Sequence, residues 1–146
     1  MTERTVIQSI RHPHVVSLAP SANVYKAANV MTDASCSSVL VIDAKGALLG
    51  ILTEHDLMAR VLAKGQDPQH TRLIDVMTPK PYSVPPDTKV TDALLMMMDR
   101  GFRHLPIVDA HAAILGVFSM RDAQPLEVNG AMGLSEFGDQ LNDALA

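Results

Sequence analysis

Tryptophan is absent from this chain, and the aromatic residues come to two Tyr and three Phe. A core built with so few rings must be aliphatic and rich in methionine, of which there are nine. The same scarcity excludes a row of aromatics on which nucleobases could stack. Lysine and arginine form no run, and the formal net charge is −4, so the basic footprint of a nucleic-acid binder is missing. Cys36 stands alone, which rules out an intrachain disulfide and gives no sign of an oxidising compartment. No apolar stretch approaches the ~20 residues that cross a bilayer, and Met1-Thr2-Glu3-Arg4 lacks the apolar stretch of a signal peptide. Neither a glycine-rich phosphate loop nor a G-x-S-x-G elbow occurs. These absences predict a cytoplasmic, soluble protein without nucleic-acid or membrane partners.

What the chain does have is a duplication. Leu48-Leu49-Gly50-Ile51-Leu52-Thr53-Glu54-His55-Asp56 returns as Ile114-Leu115-Gly116-Val117-Phe118-Ser119-Met120-Arg121-Asp122, with every anchor displaced by 66 positions. The same offset pairs Asp43 with Asp109, Val41 with Ile107, Met31 with Met97, Ala27 with Ala93 and Pro20 with Pro86. A register held over about a hundred positions marks an internal repeat, so function has to be read from the repeated unit.

The elements follow from local pattern. Val15 to Leu18 reads as a short strand stopped by Pro20. Ser21 or Asn23 then caps a helix that places Val24, Ala27, Ala28 and Met31 on one face. Val39 to Ile42 is an apolar, largely β-branched run, expected as a buried strand. Asp43-Ala44-Lys45-Gly46 turns it into Leu48 to Leu52. Thr53 opens a helix expected to reach Lys64, with Leu57, Val61 and Leu62 inward and Gly65 ending it.

In the second copy the prolines force extended backbone before an expected strand Tyr82-Ser83-Val84. Pro85-Pro86-Asp87-Thr88 is expected to cap a helix Val90 to Arg100, closed by Gly101. Leu105 to Asp109 and Ile114 to Phe118 form a second hairpin. Ala112 replaces the turn glycine of the first copy, which predicts a different turn type. Pro125 is expected to truncate the last helix, and a further short helix starts at Ser135 with Phe137, Leu141 and Leu145 on one side.

The organisation predicted is a lead-in (1–12), a first repeat (13–65), a connector (66–72), a second repeat (73–124) and a tail (125–146). Each repeat reads β-α-β-β-α in an α/β (α+β) fold. Neither is large enough to be comfortable alone, so the sheets are expected to pack face to face with pseudo-twofold symmetry.

Val76-Met77-Thr78, Asp92-Ala93 to Met97, Arg103-His104-Leu105-Pro106-Ile107-Val108-Asp109 and the two endings at Gly50 to Asp56 and Gly116 to Asp122 together resemble a tandem pair of CBS domains, a Bateman module. The likeness covers about residues 13 to 124. It implies a stand-alone regulatory module, commonly a homodimer, that binds an adenosine-containing ligand in clefts between the repeats. AMP, ADP or ATP lead that expectation, and S-adenosylmethionine or NAD is the alternative. A dimerisation platform with empty clefts is a reading of another class. The signal is expected to pass through an unidentified effector protein.

Thr53-x-x-Asp56 and Ser119-x-x-Asp122, read from the residues, are capping boxes at a strand-to-helix junction. Repetition adds weight to a second role, because free amides at an opening helix favour a phosphate. The resemblance implies that Asp56 and Asp122 accept hydrogen bonds from ribose hydroxyls and that Thr53 and Ser119 touch ribose or phosphate. It also implies phosphate contacts from Arg103 and His104, with Lys80 near them. The first repeat has Ser37-Ser38 at the matching place, so the two sites cannot be equivalent, and Ser38 is the uncharged counterpart of His104.

No catalytic residue and no catalytic cofactor is expected, because hydroxyls and carboxylates stand here without an activated nucleophile. His12-Pro13-His14 lacks a third ligand at metal spacing. Cys36 and Met96-Met97-Met98 are expected to pack in the core.

Overall fold

A computed structural model describes residues 3–11 and 15–145; Phe137, Leu141 and Leu145, whose common face the sequence suggests, lie beyond the side chains described, as do His12, Pro13 and His14. The chain folds as two compact units, residues 14–82 and residues 1–13 with 83–146.

The first unit starts with β1 (Ser17–Leu18) and α2 (Val24–Asp33), following α1 (Val6–Ser9), which belongs to the other unit. Asn23 caps α2 by accepting the Lys26 N–H at 2.8 Å, and Val24, Ala27 and Met31 are buried. β2 (Ser38–Ile42) pairs parallel with β1 and antiparallel with β3 (Leu48–Thr53). Burial of Val39, Leu40 and Val41 on both sides of the strand matches its unbroken apolar run.

After β3 comes α3 (Glu54–Asp56), which continues directly as a π-helical turn, Leu57–Leu62. This departs from the single α-helix expected to Lys64. The N–H of Ala63 reaches the Met58 carbonyl at 2.9 Å, five residues back. The wider winding rotates the later side chains: Val61 is buried, whereas Leu62, expected inward, is 70% exposed.

α4 (Leu73–Val76) and β4 (Thr78–Pro79) complete this unit. β4 joins β3 antiparallel, with Gly50 opposite Pro79 and Ile51 opposite Thr78, and Leu73 and Val76 enter the first core beside Leu52 and Val61. The opening of the second sequence copy therefore packs with the first copy. The converse holds for α1, whose Val6 is fully buried with Val90, Leu94 and Phe118.

The second unit is built on α5 (Val90–Arg100), β5 (His104–Val108) and β6 (Ile114–Ser119). Lys89, rather than the Pro85–Thr88 stretch, is the N-cap of α5, and no side chain caps it. Gly101 closes α5 with φ of 76°, its N–H on the Met97 carbonyl at 2.8 Å. Tyr82-Ser83-Val84 is not a strand; Val84 alone bridges Ile107 in parallel. Pro81, Pro85 and Pro86 lack the N–H groups a ladder needs.

β5 and β6 repeat the register of β2 and β3, down to an irregularity at Ile107/Val108 that matches the one at Val41/Ile42. The expected change of hairpin turn does not occur. Asp109 Oδ1 accepts from the N–H groups of His111 and Ala113, as Asp43 Oδ1 does from Lys45 and Ala47. Ala112 is held at φ of 63° where Gly46 has 84°. The aspartate, present in both copies, fixes the turn and overrides the side chain at its left-handed position.

The end of the chain also differs from expectation. A single 3₁₀ turn, Met120–Asp122, follows β6, and Pro125 starts α6 (Pro125–Leu145) instead of ending a helix. Proline suits a first helical position because its missing N–H has no partner to lose there. Ala131 of α6 is fully buried in the second core.

Candidate functional site

Each unit brings one hydroxyl and one carboxylate together where its second long strand ends. In the first, Thr53 has extended backbone, and its Oγ1 accepts the Asp56 N–H at 3.2 Å while Asp56 Oδ2 accepts the Thr53 N–H at 3.0 Å. Asp56 is 6% exposed. Ser38, buried, sits opposite Thr53 across the β2–β3 ladder. The Ser37 carbonyl accepts the Glu54 N–H at 3.0 Å, tying the preceding strand to the helix start.

The second unit repeats the arrangement with other side chains. Asp122 Oδ2 accepts the Ser119 N–H at 2.9 Å, and Ser119 Oγ accepts the Arg121 N–H at 3.3 Å. His104 lies opposite Ser119 across the β5–β6 ladder, and the carbonyl of exposed Arg103 accepts the Met120 N–H at 3.3 Å. Thus Thr53, Asp56 and Ser38 are gathered at one junction, and Ser119, Asp122, Arg103 and His104 at the other.

Lys80, expected near Arg103 and His104, belongs to the first unit just past β4, and its backbone is not at the Thr53–Asp56 junction. Its N–H donates to the Leu49 carbonyl at 3.1 Å, at the opposite end of β3. Four residue steps along the strand, from Leu49 to Thr53, separate the two, on the order of 13 Å. The antiparallel pairing of β4 with β3 dictates this: as β3 advances to Thr53, β4 runs back from it.

Both carboxylates do cap, as the spacing alone implies. Capping occupies one oxygen of each. The other, Oδ1, lies 3.6 Å from Arg60 Nε in Asp56 and accepts the Arg11 N–H at 3.4 Å in Asp122. A carboxylate oxygen has two lone pairs, so acceptor capacity for a diol is left over in each.

Arg60 and Arg4 are the residues that sequence reasoning passed over. Arg60 Nη1 donates to the Val76 and Met77 carbonyls at 3.0 and 3.1 Å. Its spacing of four from Asp56 on a helix was the available signal. Arg4 grips Glu127 with two nitrogens at 2.7 and 3.2 Å and donates to the Asp122 carbonyl at 3.0 Å. The hydrogen bond from Arg4 holds the Glu127 carboxyl below its usual range; burial opposes this and the Gln124 N–H assists it. Nothing near residue 4 in the sequence points to position 127.

Cys36 is half-buried, its Sγ 3.4 Å from the Ser38 carbonyl. Among the described residues no group of three His, Cys, Asp or Glu is placed to hold a metal ion, and no helix is long and apolar enough to cross a membrane.

Two strand–strand–helix junctions in matching register, each ending in a hydroxyl and an acid, define a class: a duplicated α/β module. The CBS domain family matches residues 7–63 and 73–124, and the chain belongs to that family as a tandem pair. It is 31% identical to a protein of Methanopyrus kandleri over 77% of this chain and 58% of that one. It is 38% identical to the meiotically up-regulated gene 70 protein of Schizosaccharomyces pombe over 80% of this chain but 16% of that one. The chain therefore spans less than two thirds of either relative. Among solved structures, a CBS domain protein of Pyrobaculum aerophilum complexed with AMP superposes with a TM-score of 0.78 at 18% identity, over 89% of this chain and 99% of that one.

Proposed function

We propose that this chain is a regulatory module that binds an adenosine-containing ligand (AMP, ADP or ATP) through the acids and hydroxyls at its two junctions and passes the result to a partner protein. The observation that carries the reading is the repeated pair: a carboxylate, buried in Asp56 and half-buried in Asp122, with one oxygen capping a helix start and acceptor capacity remaining on the other. The AMP complex of the Pyrobaculum protein, which shares the fold, supports adenine nucleotide as the ligand class. Asp56 and Asp122 accept the ribose hydroxyls. Thr53 and Ser119 line the sugar, Ser38 borders the first junction, and Arg103 with His104 attracts phosphate at the second. Charge-assisted hydrogen bonds of this type contribute about 1.5–3 kcal/mol each, so two account for roughly three decades of affinity. A 2′-phosphate would be repelled by the same acids. Assembly as a homodimer and an effector protein as the recipient belong to this reading.

The test is thermal unfolding with AMP, ADP, ATP, NAD, NADP and S-adenosylmethionine, repeated on Asp56→Ala and Asp122→Ala. A ligand at a hundred times its dissociation constant should add about 2.7 kcal/mol. Loss of the shift in one variant assigns the occupied junction. A shift surviving in the Asp56→Ala, Asp122→Ala double variant, or none with any ligand, overturns the proposal.

A further inference from the structure

We infer that Arg60 determines ligand choice at the first junction, by supplying the positive charge that lets Asp56 hold the sugar of a phosphorylated ligand. The inference rests on the reading that a ribose is held at Asp56.

A phosphate brought to this junction meets a nearly buried carboxylate, while the strand residues beside it, Ser37 and Ser38, carry no charge. Unopposed, Asp56 would repel the very group that distinguishes AMP from adenosine. Arg60 Nε lies 3.6 Å from Asp56 Oδ1, and the guanidinium is fixed from the other side by the Val76 and Met77 carbonyls at 3.0 and 3.1 Å. A planar, permanently charged fork can serve all three acceptors at once; a lysine ammonium can supply the charge but not the geometry. About half of the Arg60 side chain faces solvent (46%), so the charge is open to an incoming anion. Arg60 also sits within the π turn Leu57–Leu62, a distortion that recurs at functional sites.

The second junction is built differently. Sixty-six positions after Arg60 stands Leu126, which is 83% exposed. There Arg103 and His104 stand at the start of the incoming strand, and Arg4 donates to the Asp122 carbonyl at 3.0 Å. Each junction thus draws its positive charge from different places, the first from the helix after its acid and the second from Arg103 before its strand and from Arg4.

The experiment is calorimetric titration of the full chain with adenosine and with AMP, on an Asp122→Ala background that isolates the first junction. Arg60→Gln is expected to weaken AMP roughly three- to tenfold while adenosine changes less than about twofold, and to flatten the salt dependence of AMP binding. Arg60→Lys, which keeps the charge, should retain most of the AMP preference and guards against a Gln variant that folds poorly. Equal loss of both ligands, or no loss of either, overturns the role of Arg60 while leaving Asp56 as a ribose acceptor. Binding by the wild type but not by Asp122→Ala removes the first junction as a site and this inference with it. Binding of neither ligand by the wild type overturns both readings.

Discussion

Gly116 lies so close to Ile10 that a Cβ at position 116 would stand 2.8 Å from Ile10 Cδ1. Gly50 is in the same relation to Met77, and there the Thr78 carbonyl also lies 2.8 Å from the added atom. Ile10 follows α1 as Met77 follows α4, so the lead-in of each sequence copy is seated on a glycine of the opposite copy's strand.

The two glycines should respond differently to alanine. At Gly50 the obstacle includes backbone, so β4 must shift; Gly50→Ala is expected to cost about 2–3 kcal/mol. At Gly116 the neighbour is the far end of a flexible side chain, and Gly116→Ala should cost about 1 kcal/mol or less. Urea denaturation of both variants measures the difference, and equal losses would contradict the packing described.

Ala112 is strained at φ of 63° on an exposed turn. Ala112→Gly should stabilise the protein by about 1 kcal/mol, and Gly46→Ala should destabilise it by a similar amount. A neutral Ala112→Gly result would mean the second turn has another conformation.

The π turn sets a register that a plain helix would not. Val61→Ala is expected to cost about 2 kcal/mol and Leu62→Ala less than about 0.5 kcal/mol. A regular helix with both residues inward would make the two losses comparable.

Glu127 links stability to acid. Its carboxyl, drawn below the usual value of 4.5 first by Arg4, favours the ionised form in the folded state. The contribution is complete above 4.5 and is lost as pH falls through the lower folded value. Glu127→Gln should be less stable at pH 7 by about 1–2 kcal/mol. It should also lose less stability than the wild type on acidification. Stability profiles that run parallel for the two proteins would exclude the linkage.

The sequence by itself determined the duplication, the hairpins, the helix capped at Ser21 or Asn23 and the two hydroxyl–acid junctions. These depend on contacts between residues near one another in the chain: a cap reaches three residues and a hairpin turn four, so their chemistry is written locally. The copying then doubled each signal. Tertiary structure alone decided that β4 pairs with β3, that α1 packs beside Phe118 and that Arg4 meets Glu127. It also decided the π turn that turns Leu62 outward and sets Arg60 on the Val76 and Met77 carbonyls. Such features depend on which apolar surfaces close over one another and which distant partners satisfy buried polar groups. Those choices minimise exposed area over the whole fold, and no short window of residues contains them.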